Sequence, residues 1–317
     1  MRALRLVGGG LPLEAQVVAD PHPGRGEVLV EIRCAGICHS DAHYRADASR
    51  VRLPLTLGHE IAGVVAATGE GVGSVAVGDR VALHYLLPCG DMLGKDRDGG
   101  YAERIVVPAE NAIPVPDEVP LEQAAIMMCS TATALHALRL ASLRPGESVA
   151  ILGFGGLGIS ALQLARALGA ARVFAVDRVP AKLQLAASLG AVPTEAAALR
   201  EVDVALDFVG DAATTVAALR GLAPGGRLIL VAINLRALAF DAYTDVLAYE
   251  RRIVGCSDHT REELLELMDL ARTGAINLAR AVTRTVPRRA AEVNEVLDEL
   301  ERGTAHLRTV ISSSPGD

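Results

Sequence analysis

Tryptophan is absent from this chain and aromatic residues make up only 3% of it. Few side chains are therefore available to build a rigid aromatic pocket around one bulky ligand. No stretch approaches the roughly 20 uninterrupted apolar residues that a membrane helix needs. The opening MRALRLVGGGLPLEAQ carries neither an apolar signal core nor a cleavage pattern, which places the expected location in the cytoplasm. Five cysteines, an odd number without a secretory signal, read as thiols or metal ligands rather than as a disulfide framework. Nor is there a basic block. The net charge is -7 and the densest basic groups are the pairs Arg251-Arg252 and Arg288-Arg289, which argues against nucleic acid or anionic membrane as the main partner.

What the chain does have is apolar material: 50% of its 317 residues, enough for sizeable cores in about two domains. The first third reads as β-rich, with short apolar runs at Val28 to Ile32, Ile61 to Thr68 and Arg104 to Val107 separated by Gly and Pro. Glu122 to Ala141 reads as one long helix. From Ser148 the rhythm becomes an alternation of strands and helices. Strands are expected at Val149 to Leu152, Arg172 to Val176, Asp203 to Val209, Arg227 to Ile233 and Arg252 to Gly255. Helices fall between them, one at Leu157 to Leu168 and one running from Pro180 to Gly190. Such alternation predicts a parallel sheet covered on both faces, hence an α/β protein with a doubly wound domain. After Cys256 two helical stretches, a last strand at Leu307 to Ile311 and a polar tail from Ser312 to Asp317 complete the chain.

Gly153-Phe154-Gly155-Gly156-Leu157-Gly158 is a G-x-G-x-x-G between a strand and a helix. Its glycines suit a tight turn, close backbone approach to a pyrophosphate, and helix packing on strand, with the diphosphate at the helix N-terminus. Asp177 ends the second strand about 20 residues later, where a carboxylate bonds the ribose 2′-hydroxyl and repels the 2′-phosphate of NADP. NAD is the expected cofactor. Arg178 argues the other way, since an adjacent arginine accommodates a 2′-phosphate.

A second constellation comprises Gly36-Ile37-Cys38-His39-Ser40-Asp41-Ala42-His43, Gly58-His59-Glu60 and Cys129. Two thiolates and an imidazole suit zinc, and a catalytic zinc keeps one position open for water or substrate. Taken singly, each residue has a plainer explanation: a cysteine or histidine alone is more often packed in a core. Cys34, Cys89 and Cys256 are assigned that role.

Together these segments resemble the medium-chain zinc-dependent alcohol dehydrogenases. The resemblance rests on GICHSDAH at 36–43, PLTLGHEIAGVV at 54–65, VGDRVALHY at 77–85, DGGYAERIVVP at 98–108, AAIMMCSTATALHAL at 124–138, GFGGLG at 153–158 and LRTVI at 307–311. It implies a GroES-like β-rich catalytic domain (1–130 and 256–317) and a Rossmann domain (131–255). It implies that Cys38, His59 and Cys129 bind a catalytic zinc, with Glu60 beside it and Asp41 orienting His59. Ser40 matches the hydroxyl that takes the substrate proton and His43 the histidine that passes it outward. Lys182 resembles a ribose-contacting lysine, Arg308 an arginine near the pyrophosphate, His39 a basic residue near the phosphates, and Tyr85 an aromatic residue lining the substrate pocket. The family's four-cysteine structural-zinc lobe belongs between Tyr85 and Gly99, where this chain has LLPCGDMLGKDRD with the single Cys89. One cysteine cannot build a closed thiolate site, so one zinc per chain is expected and no structural zinc.

The resemblance further implies hydride transfer between a primary or secondary alcohol, or the matching aldehyde, and NAD. A homodimer or homotetramer accords with the family's habit. Two rivals keep the same cofactor fold. A zinc-free quinone or enone reductase has no need of the Cys38, His59 and Cys129 set, and a non-catalytic NAD-binding redox sensor has no need of Ser40 and His43.

Overall fold

The computed structural model describes residues 1–233, 236–303 and 307–312. Two compact units emerge, one formed by Met1–Cys129, Leu264–Thr273 and Asn277–Asp317, the other by Ser130–Glu263 and Gly274–Ile276.

Eight strands come first: β1 (Arg2–Leu6), β2 (Glu14–Val17), β3 (Glu27–Ile37), β4 (Leu55–Thr56), β5 (Glu60–Thr68), β6 (Arg80–Leu83), β7 (Arg104–Pro108) and β8 (Ala112–Pro114). Six follow in the second unit: β9 (Ser148–Leu152), β10 (Arg172–Val176), β11 (Val192–Pro193), β12 (Val202–Asp207), β13 (Leu222–Leu230) and β14 (Arg252–Gly255). Strands β15 (Val282–Val286) and β16 (Arg308–Ser312) return to the first unit.

In the first unit a seven-stranded sheet runs β15-β16-β3-β5-β6-β8, with β7 pairing β3, and a small sheet runs β2-β1-β4. β3 shows why the sheet forms. Val28, Val30, Ile32 and Cys34 are buried while Glu27, Leu29, Glu31 and Arg33 between them are half-buried, the two-residue period of a strand with one face on a core. The end of β3 is buried on both faces, and there it hands the chain to α1 (His39–Ala46). Near the C-terminus a helix at Ala290–Arg302 buries Val293, Val296 and Leu297, the helical spacing of an inward stripe. Its acidic face holds Arg45 of α1, which reaches Asp298 at 2.6 Å and Glu301 at 2.7 Å.

The second unit is the doubly wound parallel sheet, in the order β11-β10-β9-β12-β13-β14. Every pairing is parallel. Val149 to Leu152 of β9 are fully buried, as a central parallel strand with helices on both faces requires. β10 lies to one side of β9 and β12 to the other, so the strand order reverses at the carboxyl end of β9. That is the crevice where open α/β sheets take their ligands.

Several elements depart from the sequence reading. The expected helix at Glu122 to Ala141 is α-helical at Leu121–Ile126 and at Ala132–Leu140, with a π-helical turn at Met127–Thr131 between them. β13 begins five residues before Arg227 and stops at Leu230, because Leu222 already pairs with Val202. β15 was hidden: its alternation of exposed and half-buried positions at Val282 to Arg284 carries little apolar signal. Cys89 is exposed rather than core filling, whereas Cys34 and Cys256 are buried. Most of the polar tail, 313–317, lies outside the described residues. Among the described residues no helix is long and apolar enough to cross a membrane.

A buried ion pair braces the second unit. Arg227 on β13 grips Glu147 with both nitrogens, at 3.0 and 2.6 Å, and donates from Nε to the Ala141 carbonyl at 2.9 Å. Arg144 donates to the same carboxylate from its backbone N-H and from Nε, each at 2.9 Å. Burial alone would raise the Glu147 pKa, but the two arginines outweigh it and hold the pKa down to about 2. A pKa depressed in the folded state gives stability that is complete above the unfolded value, near 4.5, and is lost as the pH falls towards 2. Glu147→Ala should cost about 3–5 kcal/mol at neutral pH, because it leaves the Arg227 charge buried without its partner. Denaturant midpoints at several pH values would check this. The wild type should weaken between about pH 4.5 and 2, with the variant weaker at neutrality and flatter across that window.

Candidate metal centre and dinucleotide site

Three chain segments deliver the first site, all in the first unit. Cys38 follows β3 and caps α1; His59 immediately precedes β5 and Glu60 opens it; Cys129 sits within the π-helical turn Met127–Thr131. A π-turn carries one residue more than an α-turn, and such bulges recur at functional sites. The ligand atoms of Cys38, His59, Glu60 and Cys129 all lie within 4.8 Å of one another. The first two are buried, Glu60 is fully so, and Cys129 is half-buried.

Asp41 organises this cluster from beneath. Completely buried, it accepts from Cys38 N at 2.9 Å and from the Tyr101 hydroxyl at 2.8 Å through Oδ2. Its Oδ1 accepts from Gly58 N at 3.3 Å and faces His59 Nδ1 at 3.3 Å. With Nδ1 turned to a carboxylate, Nε2 is the nitrogen left for the cluster, the usual orientation of a metal-binding histidine. Burial opposes a charge on His59, yet Asp41 and Cys38 together push its pKa well up. The two thiols divide one proton: a hydrogen bond from Cys129 holds the Cys38 pKa well down, and the same bond, with burial, raises that of Cys129.

Glu60 has a different partner. Arg308 on β16 pairs with Glu60 Oε2, while Oε1 is buried without a hydrogen-bond partner among the described residues. Burial raises the Glu60 pKa to about 7, against the opposing pull of Arg308. Gly36 faces Glu60 across the β3–β5 ladder, and a Cβ there would overlap the Glu60 carboxylate, which accounts for a glycine at the head of the GICHSD segment. An orphaned buried carboxylate oxygen beside two sulfurs and an imidazole nitrogen is a donor set that fits a zinc ion.

Around this centre Ser40 is half-buried, with its Oγ 3.8 Å from Cys38 Sγ. His43 and His39 are exposed and their rings lie 5.0 Å apart on α1. Tyr85 is buried with its ring edge-on to His59 at 5.3 Å.

The second site lies in the second unit. Gly153 has φ +91, its N-H donates to the Val176 carbonyl at 2.8 Å, and a Cβ would sit 2.6 Å from Val209 Cγ2. Gly155 caps the helix at Gly156–Ala167, where Leu157 is half-buried, and nothing lies within 4 Å of its missing Cβ. Gly158 is packed so closely that a Cβ would overlap the Gly153 carbonyl. Asp177 is fastened to the loop, accepting from Phe154 N and from Val179 N, each at 2.8 Å. Arg178 is exposed and Lys182 half-buried, on the helix at Pro180–Ser188.

The structure thus gathers Cys38, His59, Glu60, Cys129, Asp41 and Arg308 into one cluster and joins Asp177 to the glycine loop. It places Arg308 on Glu60, where the resemblance implied a pyrophosphate contact. Two contributors escaped the sequence reading. The Tyr101 hydroxyl on Asp41 is marked by no spacing rule. The Glu60–Arg308 pair joins residues nearly 250 positions apart. A separate groove of about 640 Å³, lined by residues that include Ala212, Ala217, Arg200 and Arg220, contains none of these residues.

Comparison with known proteins bears on the family. Residues 24–117 match the alcohol dehydrogenase GroES-like domain and residues 156–273 the zinc-binding dehydrogenase family. The chain is 34% identical to an alcohol dehydrogenase of Geobacillus stearothermophilus over 94% of its own length and 95% of that protein's. It is 33% identical to an NAD-dependent alcohol dehydrogenase of Sulfolobus acidocaldarius over 98% and 99%. A cobalt- and zinc-bound thermostable alcohol dehydrogenase from Pyrobaculum aerophilum superposes with a TM-score of 0.88 at 29% identity, covering 98% of this chain and 99% of that one.

The glycines separate two effects. Gly158→Ala should lower the melting temperature of the protein, since the Gly153 carbonyl cannot yield without moving the loop. Gly155→Ala should leave it unchanged while still weakening dinucleotide binding in titration calorimetry, because the added methyl points into open space. Equal loss of stability in both variants would contradict this division.

Proposed function

This chain belongs to the zinc-type alcohol dehydrogenases with a GroES-like domain, and on that premise we propose that it moves a hydride between a primary or secondary alcohol, or the matching carbonyl compound, and NAD. The observation that carries the reading is the convergence of Cys38, His59, Glu60 and Cys129. Bound there, a zinc ion would act as a Lewis acid that makes the alcohol proton easier to lose. Cys38, His59 and Cys129 would hold it, with Asp41 behind His59.

The remaining steps belong to the protein's own side chains. Ser40 accepts the alcohol proton, and the exposed His43 passes it to solvent. Glycines 153, 155 and 158 admit the diphosphate to the helix N-terminus. Asp177 receives the ribose hydroxyls with lone pairs left over from its two backbone bonds, and its charge favours NAD over NADP. Lys182 and His39 lend positive charge to the same cofactor. Tyr85 borders the substrate beside His59. With few aromatic residues in the chain, aliphatic and benzylic alcohols are the substrates to try. A single zinc per chain follows from the loop that holds only Cys89.

The test is reduction of NAD with ethanol, benzyl alcohol and a secondary alcohol, before and after chelation. Activity lost to the chelator and restored by zinc supports the reading. Turnover of quinones or enones that ignores the chelator moves the chain to the zinc-free reductases, and tight NAD binding without turnover makes it a sensor. Ser40→Ala should keep zinc and NAD but slow turnover about 10²–10⁴-fold, as loss of positioned proton transfer does. Wild-type turnover in that variant would remove Ser40 from the mechanism.

A further inference from the structure

We propose that Tyr101 is a positioning residue for the metal centre, fixing the Asp41 carboxylate so that His59 presents Nε2 to the cluster. The inference rests on the reading of Cys38, His59 and Cys129 as metal ligands.

Tyr101 is completely buried, and its ring packs against Gly58, the residue before His59. Gly58 has φ +95, and a Cβ there would overlap the ring. The close fit therefore depends on glycine at 58 and an aromatic ring at 101 together. The backbone fastens the same two stretches. Gly99 N donates to Thr56 O at 2.8 Å, Gly100 N to Gly58 O at 2.7 Å and Tyr101 N to Leu57 O at 3.0 Å. Tyr101 is thus carried by the end of the short loop that follows Tyr85, and it is tied directly to the approach to His59.

Its hydroxyl then reaches 2.8 Å to Asp41 Oδ2, which also takes the Cys38 N-H at 2.9 Å. A carboxylate at the end of one sp³–sp² torsion rotates in a broad well and has no preferred face of its own. Two donors on Oδ2 give it one. They hold Oδ1 towards His59 Nδ1 at 3.3 Å, and that contact fixes the imidazole tautomer. Among the described residues the Tyr101 hydroxyl bonds to Asp41, so the hydroxyl acts on the ligands through that carboxylate.

Tyr101→Phe keeps the ring against Gly58 and deletes only the donor. Zinc affinity, measured by competition with a chromophoric chelator, should fall about tenfold, the lower end of what loss of an outer partner costs. The visible bands of the cobalt-loaded protein should shift, and the metal-free protein should melt somewhat lower, since a buried carboxylate loses one of its donors. A merely structural role would lower melting without moving the zinc affinity of the folded protein or the cobalt bands. Asp41→Asn should weaken zinc binding further. Adding Tyr101→Phe to Asp41→Asn should bring no additional loss, since the hydroxyl works through that carboxylate. Wild-type zinc affinity and cobalt bands in Tyr101→Phe, or losses that simply add in the double variant, would overturn the role. A wild-type protein that takes up no zinc would instead overturn the metal reading itself, and this inference with it.

Discussion

A carboxylate fully removed from water survives only if its oxygens are met by donors. Asp41 meets that demand with donors drawn from three separate stretches of chain: Cys38 N after β3, Gly58 N before β5, and the Tyr101 hydroxyl beyond the short loop. Satisfying one buried charge therefore also brings Cys38 and His59 to the same place. The cost of burying Asp41 and the assembly of the ligand set are one constraint. Charge makes the same point from the other side. Glu60 and the two thiols, once deprotonated, share the guanidinium of Arg308, with Asp41 a further negative group behind His59. So many negative groups in a buried space ask for a cation to stand among them, and the orphaned Glu60 Oε1 marks where one more positive neighbour would be welcome.

The second unit solves a different problem with different means. Its glycine loop leaves open room at Gly155 and allows none at Gly158. Asp177 ties the loop to the end of β10 through Phe154 N. An anion entering there finds backbone N-H groups already aimed and a crevice made by the reversal of strand order. Each unit thus prepares its half of the chemistry through its own packing: a buried negative cluster in one, a cradle of backbone N-H groups in the other.

How much of this could be read from the residues depended on the range of the interaction. The βαβ alternation from Ser148, the G-x-G-x-x-G and the position of Asp177 follow from short-range periodicity. The first two strands, the glycine loop and Asp177 fall nearly residue for residue, while β12 and β13 are displaced and the short β11 was not signalled. The convergence of Cys38, His59, Glu60 and Cys129 was legible because GICHSD and GHE are dense local patterns and Cys129 completes them by resemblance. What escaped is long-range or locally unsignalled. The Glu60–Arg308 pair and the Glu147–Arg227 brace join distant segments, and no window of sequence contains both partners. The π-turn at Met127–Thr131 looks like ordinary helix, since one inserted residue barely disturbs an apolar pattern. Cys89 was assigned to the core from the average behaviour of cysteine, but it lies in an exposed turn beside the Asp91–Arg97 ion pair.

The most direct test of the metal centre is zinc content per chain of the purified protein, by elemental analysis, alongside Cys38→Ser and Cys129→Ser variants. The expected result is one zinc per chain in the wild type, falling close to zero in either variant while the fold persists. Zinc retained in full by both variants, or none in a wild type folded and purified with zinc present, would contradict the assignment of this cluster.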